Sequence, residues 1–115
     1  MPNEFKKITV GSAPTVVGTP DTIYTVQSGS TLVVQKLSLC NIHTSQIAAT
    51  VKVHSSTAHA GQTANTPAFL VKDVPIPSRS SLILDKMNLN VGDYFTVDSD
   101  VADSISVTFD YMEQT

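Results

Sequence analysis

The sequence predicts an all-β protein: a single antiparallel β-sandwich of about eight short strands, of jelly-roll or Ig-like topology. Three observations carry that expectation. Apolar residues recur at every second position in segment after segment, the period of a strand with one buried face. Clusters of turn-forming residues separate these segments: QSGS at 27–30, HAGQTAN at 59–65, PSRSS at 77–81 and NVGD at 90–93. No window carries the three-and-four apolar spacing of a helical stripe.

The first 20 residues, MPNEFKKITVGSAPTVVGTP, admit two readings. Three prolines and two glycines disfavour a stable strand standing alone, yet Phe5, Ile8, Val10, Val16 and Val17 are too apolar for a solvated tail. The segment is either an extended arm that adds to the sheet edge of another chain, with those five side chains binding the partner, or the first strand of its own sandwich. The sandwich domain proper spans residues 21–115.

Further along, TIYTV (22–26), STLVVQKLSLCN (30–41), ATVKVHSS (49–56) and PAFLVKDV (67–74) read as strands, followed by SSLIL (80–84) and DYFTVDS (93–99). SISVTFDYM (104–112) is the cleanest, with Ile105, Val107, Phe109 and Tyr111 on one face and Ser104, Ser106, Thr108 and Asp110 on the other. Between them, VPIPSRSS places Pro75 and Pro77 one residue apart. Proline cannot donate to a ladder and holds its predecessor extended, so this segment is an edge or a crossover between sheets, not a central strand.

A chain of 115 residues is one domain, long enough to bury a core without staples. Its formal net charge of −3 argues against nucleic acid as partner, which requires a basic face. All seven basic residues lie at or before Lys86 and six of the ten acids from Asp93 onward, making an acidic C-terminal strip suited to solubility and edge protection. No stretch has the form of a signal peptide or approaches a membrane span, so the chain is expected to be made in the cytoplasm and to stay soluble. Cys40, the only cysteine, sits in the apolar run KLSLCN and is expected to be a buried, inert thiol.

The residues that could carry chemistry do not fall into a catalytic pattern. His54 and His59 are separated by four residues on a strand end and a loop, His43 lies apart, and no cysteine joins them at zinc spacing. Asp98, Asp100 and Asp103 in DSDVAD invite a calcium reading, but the glycine and distal glutamate of an EF-hand loop are missing. No G-x-S-x-G elbow and no Gly-rich phosphate loop occur. The aromatics Tyr24, Phe69, Tyr94, Phe95, Phe109 and Tyr111 lie in strands and are expected mostly in the core. The expectation is therefore no catalytic residue, no metal and no cofactor.

IYTVQSGSTLVVQKLSLCN, the later KDVPIP and LNVGDYFTV form an ordered set. Over residues 22 to 111 this set resembles small virion structural proteins of tailed bacteriophages. The matching positions are Tyr24, Thr25, Val26, Cys40, Asn41, Asp73, Val74, Pro75, Ile76, Pro77, Leu89, Gly92 and Asp93. The loops HTSQIAA and HAGQTAN depart from the pattern. The resemblance implies a non-enzymatic β-sandwich located in the virion, with the major capsid protein or other virion proteins as partners. It implies capsid decoration, or else a tail, neck or fibre component. An exposed corner and a detachable N-terminal segment suit a homo-oligomer, such as a trimer. A carbohydrate-binding sandwich, calcium-assisted through the acidic strip, is the alternative from a different class.

Overall fold

Among the described residues the alternating segments form nine β-strands in two antiparallel sheets. The computed structural model describes residues 3–27, 29–55, 67–85 and 87–114. The strands are β1 (Asn3–Ala13), β2 (Asp21–Thr25), β3 (Thr31–Asn41), β4 (Ile47–His54), β5 (Ala68–Ile76), β6 (Ser81–Leu84), β7 (Met87–Leu89), β8 (Tyr94–Ser99) and β9 (Ile105–Gln114). One sheet runs β1-β9-β3-β6, with β7 also paired to β3, and the other runs β2-β8-β4-β5. The expected turn at 59–65, with His59, lies outside the described residues.

The pairing is nested. β4 pairs with β5, β3 with β6 and β7, β2 with β8, and β1 with β9, as in one long hairpin. The hairpin then rolls up, so that β9 also lies against β3 and β8 against β4. Treating β6 and β7 as one interrupted strand, this is the eight-stranded jelly roll rather than an Ig-like order. The shortest extent of the molecule, 21 Å, is that of two sheets about 10 Å apart with outward side chains.

The core forms where the two inner faces meet. Ile105, Val107, Phe109 and Tyr111 of β9 are buried, as the alternation requires, and meet Phe95 and Val97 of β8 among others. Phe109 stands edge-on to Phe95, with ring centroids 5.5 Å apart and planes at 88°, the quadrupole-favoured arrangement across the sandwich. Tyr111 stacks on Phe109 at 5.0 Å and on Tyr24 at 5.7 Å, extending the aromatic column.

The proline segment is both an edge and a crossover. β5 pairs only with β4, so Pro75 sits where no second partner needs its missing N–H. Ile76 turns inward and is buried, and a turn over Pro77–Ser80 then carries the chain to β6 in the other sheet. Asn41, fully buried at the end of β3, ties the corner down. Its Nδ2 donates to Ile76 O at 2.8 Å and to Ser45 O at 3.0 Å, while its Oδ1 accepts the His43 N–H. A second clasp joins YTV to GD: Gly92 N–H donates to Val26 O and Val26 N–H to Asp93 O. Buried Asp93 in turn accepts Asn90 N–H through Oδ2. Residues of the ordered set are thus joints of the fold.

The structure departs from the sequence expectations in three places. Cys40 is only half-buried, because its inward neighbours Leu39 and Asn41 put it on the outer face of β3 beside Ser106 and Ser81. Phe69 and Tyr94 are not core residues: both project from the outer side of the β2-β8-β4-β5 sheet, opposite Lys52 and His54. β7 is a ninth strand, three residues long and too short to show a period.

Candidate interaction surfaces

Residues 3–13 run along β9 in unbroken register from Asn3↔Gln114 to Val10↔Val107, followed by a bulge before Ala13. β1 is therefore a strand of the chain's own sandwich, and among the described residues its other edge has no partner strand. Ile8 and Val10 lie opposite Phe109 and Val107 and are half-buried against the core, so they are not free for a partner. Phe5, opposite Met112 on the outer face, is 75% exposed. On the inner side Lys6 Nζ bonds Glu113 Oε1 at 2.8 Å and pairs with Glu4 Oε2 at 3.4 Å. The hydrogen bond to Glu113 is the main cause of a raised Lys6 pKa, which keeps the ammonium charged.

Beyond β1 the chain turns at Val16–Thr19, where Thr19 N–H donates to Val16 O at 3.1 Å. Gly18 has φ +84° at the third position, as a type II turn requires. The turn holds Val16 and Val17 out at 58% and 51% exposure. Three of the five arm residues, Phe5, Val16 and Val17, thus stand exposed, Phe5 near the start of β1 and the two valines in the turn beyond its end.

A second surface, not visible in the sequence, lies on the outer face of the β2-β8-β4-β5 sheet. Register places Phe69 of β5 opposite Lys52 of β4, and the register shift between Lys52 and Val51 turns Lys72 to the same side as Phe69. Asp73, at φ +50°, holds the irregularity: its N–H donates to Thr50 Oγ1 at 3.0 Å. The Lys52 and Lys72 ammoniums lie 5.1 and 5.0 Å from the Phe69 ring centre, within cation–π range. With Pro20, Thr50, Thr96 and Asp98 these residues line an open depression of about 220 Å³. Next to it His54 stacks on Tyr94 at 4.4 Å and its Nε2 meets Thr96 Oγ1 at 3.2 Å. Burial, and then the Lys52 charge, lower the His54 pKa.

The remaining candidates are dispersed. His43 lies in the corner loop, where its N–H is held by Asn41, while His54 is on the sheet face. Asp98 Oδ1 accepts Ser99 N–H, Asp100 Oδ1 accepts Ala48 N–H, and Asp103 Oδ1 accepts the Ser12 hydroxyl, so each aspartate serves a separate joint. Among the described residues no three His, Cys, Asp or Glu side chains cluster as a metal site. No protein-family model matches the chain, and no curated protein matches it in sequence.

Proposed function

We propose that this chain is a non-enzymatic structural protein of a tailed-bacteriophage virion, one that decorates the capsid by protein–protein contact. The observation that carries this reading is the edge of β1, which has no partner strand among the described residues, together with exposed Phe5 on that strand and exposed Val16 and Val17 in the turn that follows it. A free edge offers main-chain hydrogen bonds to a partner strand, and apolar side chains beside it supply area to bury. The resemblance of the ordered set from IYTV to GDYFTV supplies the virion context. Jelly rolls build viral capsid and lectin domains alike, so the fold is compatible with the reading without selecting it. Copies repeated over a shell need only modest affinity each, because attachment at many points adds.

The test is co-sedimentation of the purified chain with heads and, separately, with tails of the phage that encodes it. Binding to heads that is lost in F5S and in the V16S/V17S pair supports decoration through this edge. Binding to tails alone moves the protein to the tail machinery. Failure to bind either particle overturns the virion reading.

A further inference from the structure

We propose that the depression around Phe69 is a saccharide site selective for a carboxylate-bearing pyranose, such as a uronic-acid unit of a polysaccharide. Four features of the site lead there. Phe69 lies on a strand of the sheet and is yet 49% exposed, an apolar ring turned outward in a strand where most neighbouring apolar side chains turn inward. The C–H face of a pyranose is apolar and slightly positive, and matches the negative face of such a ring. Lys52 and Lys72 reach the same ring, and among the described residues neither ammonium forms an ion pair with a carboxylate. Two unneutralised ammoniums beside the ring favour a ligand carrying negative charge.

Asp98 narrows the choice. It lines the same depression and uses Oδ1 for Ser99 N–H. A bare dianion would meet this carboxylate as repulsion, whereas a sugar hydroxyl would donate a hydrogen bond to its other oxygen. A carboxylate toward the lysines and hydroxyls toward Asp98 describe a uronic acid, with one charged edge and several donors. The size agrees: about 220 Å³ falls below the roughly 300–1,000 Å³ of sites for drug-sized ligands and suits a single ring. This site lies on the sheet that does not contain β1, and its occupancy is separate from assembly through that edge.

The experiment titrates the full chain with trigalacturonate, its methyl ester and inorganic phosphate, followed by NMR shifts of the Phe69 and Lys72 amides. Trigalacturonate is expected to bind about tenfold tighter than the ester, because esterification removes the negative charge that faces the lysines while keeping the ring and its hydroxyls. F69A should abolish both, while K52A/K72A should bring the acid down to the affinity of the ester. Phosphate should not compete. F5S should bind as the unaltered chain does, which separates this result from failure of the proposed assembly. Equal binding of acid and ester, competition by phosphate, unchanged binding in F69A, or no binding by either sugar would each overturn the proposal.

Discussion

Asn41 and Ile76, 35 residues apart in the chain, are joined by a 2.8 Å hydrogen bond from the Asn41 amide to the Ile76 carbonyl, buried at the end of the sandwich. The same side chain also binds Ser45 O and His43 N–H, so its removal strands three backbone groups. N41A should therefore destabilise the domain by about 2–4 kcal/mol, since unsatisfied buried groups cost about 1–3 kcal/mol each and relaxation recovers part. Urea unfolding measures this. A midpoint unchanged from that of the parent would show that the corner holds without the amide.

Phe109 is the centre of the aromatic column and fully buried. F109A should cost roughly 3–5 kcal/mol, the range for emptying a large core site. The melting temperature and urea midpoint should fall together, and no shift in either would contradict its place between the sheets.

Gly92 occupies φ +86° while its N–H bonds Val26 O. Alanine there must be held in a left-handed conformation, at a cost of about 1–2 kcal/mol. G92A should lower the urea midpoint accordingly, and G92N by less, because asparagine tolerates this region better. Equal stability of all three chains would rule out strain at this turn.

His54 has a pKa lowered by burial and by Lys52, so the folded state favours the neutral ring. The unfolded chain takes up a proton at about pH 6.5, before the folded one does. The stability contributed by this group is therefore complete above pH 6.5 and is lost as pH falls through the lower folded value. The parent should lose more stability than H54Q between pH 7.5 and pH 5. An identical pH dependence in the two chains would show that His54 does not contribute.

Deletion of residues 1 to 18 removes β1 and bares the flank of β9, including the sides of Val107 and Phe109 that face Val10 and Ile8. Loss of the cooperative thermal transition is the expected result. A truncated chain that melts like the parent would show that the segment serves as a detachable arm.

The strand pattern was legible because eight of the strands bury one face, and burial writes a period of two into the sequence. SISVTFDYM shows this most directly, down to the inward set from Ile105 to Tyr111. The VPIPSRSS segment showed that ladder bonding lapses, but choosing between edge and crossover required β5 and β6 to be seen in different sheets. Jelly-roll order was not legible, because periodicity records faces and not partners. The Phe69 depression was hidden for a related reason. Phe69 and Lys72 share a side only through irregular pairing in β5, and an aromatic in a strand ordinarily reads as core.

The position of β9 bears on how the chain comes to be folded at all. β9 follows the other described strands in sequence and lies between β1 and β3, so the first sheet has a gap at its centre until β9 joins it. The Lys6–Glu113 contact spans 107 positions, and such closures are entropically slow to form. Folding of this sheet thus waits on β9, leaving the inner-facing leucines of β3 in need of shelter meanwhile. Loss of β9 should be more damaging to yield than most core substitutions, because it removes the strand that joins β1 to β3.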